Sequence, residues 1–388
     1  MTNYLMPTYA RFPVTLIKGE GTYVYDDSGK RYLDFISGIA VNSLGHAHPA
    51  LRKAINEQAG LMIHCSNLFN IPAQKELAKR LCSLSGLGQA FFCNSGAEAN
   101  EAAFKLARKY WYDRDSDRRG IICAANSFHG RTLNTLTATG QAKVKIGFDP
   151  LPPGFMHVPY GDIDALGSAV NATTAAIILE PIQGEGGVNT PPDGYFASVR
   201  CLCDEHGILL ILDEVQTGIG RSGLMFAFEH SAIRPDILTL AKGLGGGVPI
   251  GAMLATESVA ASFGPGTHGS TFGGNPLSCT AALTVLDLIE QESLLENTRR
   301  QGSRLSEGLK SLQQVHSSIR QIRGKGLLIG VEMSTDVAPM IARCRLAGLL
   351  LLPAGPKVLR FLPPLNVKTA EIEEALDILG VILGEEKP

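Results

Sequence analysis

Six apolar runs recur through the middle of this 388-residue chain: "QAFFC" (89–93), "GIICAA" (120–125), "AAIILEPI" (175–182), "GILLILDEV" (207–215), "DILTLAK" (236–242) and "PIGAMLAT" (249–256). Most of them are continuous. A strand with one wet face alternates polar and apolar residues, whereas a strand covered on both faces does not. The runs therefore predict a mainly parallel sheet between two layers of helices. Stretches of helical character, such as "GYFASVRCLCDEH" (194–206), fall between the runs as crossovers.

The two ends read differently. Near the N-terminus, "GTYVYDDSGKRYLDF" alternates about "DDSGK" and predicts a hairpin. Past residue 275 the pattern predicts one long helix, "PLSCTAALTVLDLIEQESLLENTRRQGSRLSEGLKSL". Strands at "GLLIGVEM" and "LRFLPPL" and a last helix at "TAEIEEALDILGVIL" follow. The chain is long for one core, and we expect two parts. A large α/β domain spans 46–256, and a smaller α+β domain combines 1–45 with 257–388.

Charge and composition narrow the function classes. A formal net charge of −2 gives no reason to expect a nucleic-acid or acidic-membrane partner. The longest apolar runs fall well short of the ~20 residues of a membrane helix. No basic stretch followed by an apolar core opens the sequence, so no secretory leader is expected. The eight cysteines are scattered and contain no C-x-x-C, which suits reduced thiols in the cytoplasm.

In an open α/β sheet ligands bind at the carboxyl ends of the strands, and here those ends carry polar residues. In "CNSGAEANE", Ser95 and Glu98 match a capping box, so a helix starts at Gly96 with free N–H groups suited to a phosphate. In "LILDEVQTG", Asp213 and Glu214 end a strongly apolar strand and need a partner: a metal, a catalytic role, or a cationic ring nitrogen. Histidines at metal-like spacing are lacking there, and His46 and His48 of "GHAHP" are too few for a metal centre. In "NSFHGRT", Phe128 and His129 precede Arg131, offering an aromatic face and a fork for a carboxylate. In "LAKGLGGG", Lys242 stands where a desolvated amine becomes nucleophilic, beside glycines that permit close approach. Each motif alone also has a structural reading, as an ordinary cap, ion pair or loop.

Together the four motifs match one cofactor. Pyridoxal phosphate needs a phosphate cradle, an aromatic stack, a carboxylate for its ring nitrogen and a lysine for its aldehyde. Lys242 would hold it covalently and, once displaced by a substrate amine, move a proton. A nicotinamide enzyme fits worse. "GLGGGV" fails the dinucleotide fingerprint at Val248, and "GKGLLIG" precedes a strand instead of following one.

These residues, with "GIAVNSLGHAHP", "EPIQGEGG", "HGSTFGGNPL" and "LRFLPPL", resemble the class III aminotransferases of the fold-type I pyridoxal phosphate group, most closely those acting on acetylornithine. The resemblance spans nearly the whole chain. It implies a seven-stranded, mainly parallel sheet and a homodimer with shared sites. It also implies cofactor contacts from Lys242, Asp213, Ser95, Gly96, Ala97, Phe128, His129, Val215 and Gln216, with Thr271 reaching the neighbouring subunit's phosphate. Substrate contacts are implied for Arg131, Ser270, Glu185 and Arg360, with Glu185 masking Arg360 until glutamate or 2-oxoglutarate arrives. Succinylornithine, ornithine and 4-aminobutyrate are alternative amine donors, and succinyl-diaminopimelate a second substrate of the same group.

Overall fold

The computed structural model describes residues 4–385. Its centre is a seven-stranded sheet. Across the sheet the strands run Gln89–Cys93, Gly251–Ala255, Ile237–Leu240, Leu209–Asp213, Thr174–Leu179, Gly120–Ala124 and Phe155–Val158. All neighbours pair in parallel except Gly251–Ala255, which is antiparallel to both of its partners. The mainly parallel sheet read from the apolar runs is thus present. The strand Phe155–Val158 was not among those runs. It lies at the sheet edge with its first three residues incompletely buried, so its sequence carries no continuous apolar signal.

Side-chain alternation sorts the strands between two cores. Ile121, Cys123, Ile178, Ile211 and Ile237 pack with Ala102, Ala103 and Leu106 of the helix Gly96–Tyr112. Their neighbours Ile122, Ile177, Leu210, Leu212 and Leu238 belong to a larger core on the opposite face. Period-2 geometry makes this separation obligatory.

The smaller part is a four-stranded antiparallel sheet of Ile319–Lys325, Leu328–Met333, Val358–Phe361 and Leu352–Pro353, backed by the helices Leu294–Val315 and Thr369–Gly384. The hairpin strands Tyr23–Asp26 and Arg31–Asp34 form, with Leu16–Glu20 on one side and Leu349–Leu350 on the other. Asp26 shapes the hairpin turn, its Oδ1 accepting from the backbone N–H of Ser28 (3.0 Å) and of Lys30 (2.9 Å). Thr22 and Tyr23 donate to Glu371 and Glu374 of the last helix, joining the two chain ends. The outermost residues of both ends, 1–3 and 386–388, lie outside the described residues.

One expectation is corrected. The long helix after 275 is two helices, Pro276–Gln291 and Leu294–Val315, separated at Ser293, whose φ of 52° is left-handed. The break lets the two helices serve different cores. Cys279, Ala282 and Val285 pack in the larger core, Leu305 and Leu309 in the smaller one.

Close helix packing generates a test. Helix propensity favours Ala over Gly by about 1 kcal/mol. A Cβ at Gly302 would lie 2.3 Å from the backbone oxygen of Gly326, whereas one at Gly308 would meet only the tip of the Leu376 side chain. Backbone cannot yield as a side chain can. Gly302→Ala is expected to destabilise by about 1–3 kcal/mol, and Gly308→Ala by clearly less. Thermal midpoints of the two variants measure the difference.

Candidate active site

The carboxyl ends of the central strands surround one cavity of about 430 Å³, within the range of small-ligand sites. Its walls include Ser95, Gly96, Ala97, Phe128, His129, Arg131, Glu185, Asp213, Val215, Gln216 and Lys242. Eleven residues singled out in the sequence, spread over almost 150 positions, are therefore brought together.

Each is placed by its element. The helix Gly96–Tyr112 starts where expected: the Ser95 hydroxyl accepts from the Glu98 N–H, and Glu98 accepts in turn from the Asn94 N–H. A Cβ at Gly96 would lie 2.7 Å from Val215, so only glycine lets this helix end sit against the tip of the Asp213 strand. The free N–H groups of that end border the cavity. Phe128 is half-buried in the wall, its N–H donating to Glu180 (3.1 Å), with the exposed Arg131 guanidinium 5.6 Å from the centre of its ring.

Lys242 follows the end of the strand Ile237–Leu240 and opens a short 3₁₀ turn with a left-handed φ of 43°. Such a backbone is strained for a residue with a side chain. Burial lowers its ammonium pKa, while Glu185, Asp213 and Glu180 pull it upward and Arg360 pushes it down. A lysine so placed gives up its proton more readily than one in water.

Asp213 is buried at the end of its strand. Its Oδ2 accepts from Asn100 Nδ2 (2.8 Å) and from His129 Nδ1 (2.8 Å), and its Oδ1 from the Val215 N–H (3.0 Å). No lysine or arginine pairs with it among the described residues. Its neighbour Glu214 points elsewhere, taking the N–H groups of Ala227 and Phe228, and burial raises its pKa to about 7.

Behind Glu185 lies Arg360, 2% exposed and absent from the cavity wall. Its Nη1 donates to Glu185 Oε1 (2.6 Å), Gly184 O (3.0 Å) and Gln216 Oε1 (3.1 Å). Gln216 Nε2 also donates to Glu185 (3.2 Å). Burial alone would raise the Glu185 pKa, but Arg360 and Lys242 hold it at about 2. Ser270 and Thr271 stand apart from the cavity. Ser270 Oγ accepts from Asn94 (3.2 Å) and from the Gly273 N–H (3.0 Å), and Thr271 is exposed. His46 and His48 bond separate carboxylates, Asp34 and Glu292.

Among the wall residues that escaped the sequence reading are Asn100 and Glu180. Asn100 lies four residues after Gly96 and so shares its helix face. Glu180 follows the buried strand Thr174–Leu179, the same signal that marked Asp213. Burial and then Asp213 raise its pKa well above the ordinary glutamate value.

The chain is similar to known proteins over nearly its whole length. The model of the family "Aminotransferase class-III" matches residues 4–383. An acetylornithine aminotransferase from Caldanaerobacter subterraneus subsp. tengcongensis is 53% identical over 384 residues, covering 98% of each chain. Among solved structures, an ornithine aminotransferase from Toxoplasma gondii, with partial occupancy of PLP at its active site, superimposes with a TM-score of 0.94 at 35% identity, covering 98% of this chain and 92% of that one. An N-acetylornithine aminotransferase from Stenotrophomonas maltophilia gives 0.85 at 38% identity, covering 97% of both.

The Glu185–Arg360 pair predicts an acid response. The folded pKa of Glu185 lies below the unfolded one, so protons bind first to the unfolded chain. Its stabilisation is present above pH ~4.5 and is lost as pH falls toward about 2. Glu185→Gln is expected to be less stable than the parent at pH 7 by about 1–3 kcal/mol. That gap should narrow by pH 3, as read from thermal midpoints of both proteins across the range.

Proposed function

This chain belongs to the class-III aminotransferases, and we propose that it transfers the δ-amino group of N2-acetylornithine to 2-oxoglutarate with pyridoxal phosphate as cofactor. The products are N-acetylglutamate 5-semialdehyde and glutamate, a step of arginine biosynthesis. The observation that carries this reading is the pair of guanidiniums serving one cavity: Arg131 free at the wall, and Arg360 buried behind a carboxylate. Acetylornithine presents one carboxylate, remote from the reacting amine. Glutamate presents two, and one adjoins the reacting carbon. A site that must take both wants one permanent cation and one that can be uncovered.

The donor set fits the cofactor. A helix N-terminus at Ser95, Gly96 and Ala97 suits a phosphate, and Phe128 supplies a ring face. Asp213 offers a buried carboxylate whose Oδ1 carries a single donor, leaving capacity for a ring N–H. His129 and Val215 flank that carboxylate, and Gln216 on the cavity wall would serve the ring hydroxyl. Pyridoxal phosphate supplies, when bound, an aldehyde and an electron-withdrawing ring on which amino and carbonyl groups can be exchanged.

The chain's own residues do the rest. Lys242 Nζ would hold the cofactor through its aldehyde and, once displaced by the substrate amine, would act as the general acid/base that moves the proton from the substrate's amine-bearing carbon to the second carbon of the exchange. Arg131 holds the remote carboxylate. Glu185 keeps Arg360 neutralised for acetylornithine and swings away for the second carboxylate of glutamate or 2-oxoglutarate. The 53% identity to an enzyme named for acetylornithine supports the choice of amine donor.

We also propose a homodimer. Leu61, Ile63, Leu68, Phe69 and Phe272 are exposed, and Phe272 packs on His64. A contiguous apolar surface of this kind suits a second copy. Thr271, on the same loop, would reach the phosphate in the partner's cavity, with Ser270 beside the substrate. Eight free cysteines suit a reducing compartment, and we place the enzyme in the cytoplasm.

A substrate panel tests the assignment, with acetylornithine, succinylornithine, ornithine, succinyl-diaminopimelate and 4-aminobutyrate each paired with 2-oxoglutarate. Acetylornithine is expected to give the largest kcat/KM, and a clearly better result with ornithine or 4-aminobutyrate would sink the assignment. Arg131→Ala should weaken both half-reactions. Arg360→Ala should depress the glutamate half selectively, by roughly 30-fold or more; single-turnover absorbance changes separate the two.

A further inference from the structure

Asp213 does not hold its orientation alone, and the structure traces what holds it. Asn100 donates through Nδ2 to Asp213 Oδ2 (2.8 Å) and to the backbone oxygen of His129 (2.9 Å). Its Oδ1 accepts from the Thr239 hydroxyl (2.7 Å). Every polar atom of this buried amide is engaged, and the amide has one satisfactory orientation. Turned over, its oxygen would face the Asp213 carboxylate and the His129 carbonyl, while its NH₂ group faced Thr239.

Thr239 is fully buried on the strand beside Asp213, and the two residues are register partners. The Thr239 carbonyl also receives the Glu214 N–H (3.0 Å). Three residues further along stands Lys242. A buried carboxylate in water-poor surroundings stays charged only if donors are aimed at it. Here those donors are His129, Asn100 and the Val215 N–H, and Asn100 is the one whose aim depends on a third residue. His129 Nε2 is buried without a hydrogen-bond partner among the described residues, and Nδ1, 2.8 Å from Asp213 Oδ2, is the ring nitrogen placed to donate to the carboxylate.

From this we infer that Thr239 and Asn100 are positioning residues for the reaction. Thr239 fixes the Asn100 amide, and Asn100 in turn keeps the Asp213 carboxylate pointed at the cofactor's ring nitrogen. The inference rests on the reading of Asp213 given under Proposed function. Neither residue is given any contact with substrate, and Thr239 does not line the cavity. Their effect passes through Asp213.

The test is a double-mutant cycle on the holoenzyme with two readouts: the Kd for pyridoxal phosphate, from titration of absorbance, and kcat. Asn100→Ala is expected to weaken cofactor binding and lower kcat by roughly 10–100-fold. Thr239→Val, which keeps the shape and removes the hydroxyl, should cost roughly 3–10-fold in each. Thr239→Ser, which restores the donor, should return both close to the parent values. Combining Thr239→Val with Asn100→Ala should be no worse than Asn100→Ala alone, because Thr239 then has nothing left to orient. Losses that multiply in the double variant overturn the relay, as does a Thr239→Val protein with parental Kd and kcat. Asp213→Asn separates the two levels. If it binds cofactor like the parent, the reading of Asp213 itself fails; if it is crippled while Thr239→Val is not, only the relay fails. Should Thr239→Val not fold, the Thr239→Ser and Asn100→Ala proteins still decide, since a parental Kd for Asn100→Ala also overturns the proposal.

Discussion

A charge cannot be buried alone, and this structure is organised around that fact. Three largely apolar strands of the central sheet lead into ionisable residues, Glu180, Asp213 and, two residues past its strand, Lys242. Parallel strands bring these ends to one edge. There each group leaves water and must find compensation. Asp213 gathers hydrogen-bond donors, Glu185 takes Arg360, and Lys242 gives up some of its hold on a proton.

The hydrogen bonds on Asp213 and the guanidinium on Glu185 have different consequences. Asn100, His129 and the Val215 N–H fix the orientation of the Asp213 carboxylate and leave its Oδ1 with one donor. An arginine partner cancels charge, and Glu185 with Arg360 presents a nearly neutral wall. Glu185 is still partly exposed and Arg360 is not, which is why the carboxylate is the member we propose to move. The difference lies in which partners the fold places beside each.

Much of this was legible in the sequence. Continuous apolar runs marked the parallel strands, because burial on both faces removes the alternation a wet surface imposes. The capping pair Ser95 and Glu98, the strand-end Asp213 and the glycine-flanked Lys242 were visible for the same reason: each breaks a local pattern that needs explaining. What escaped lacked such a break. The edge strand Phe155–Val158 has a half-wet face and an unremarkable composition. The helix break at Ser293 has no proline or glycine to announce it; it is imposed by two cores pulling on consecutive segments. Asn100 is an ordinary polar residue in a helix until the fold sets it against Asp213.

The sequence by itself determined which segments are strands buried on both faces, where the helix that caps the cavity begins, and which ionisable residues stand in an apolar context and need a partner. Those are local properties, written in periodicity and in the cost of burying charge. Only the tertiary structure decided that Arg360, 175 residues from Glu185, lies behind it, that Thr239 fixes Asn100, and that Ser270 and Thr271 stay away from their own cavity. Such pairings join residues distant along the chain, and no local preference encodes them. They exist because the sheet twists and closes in one way, bringing strand ends together that the sequence keeps far apart.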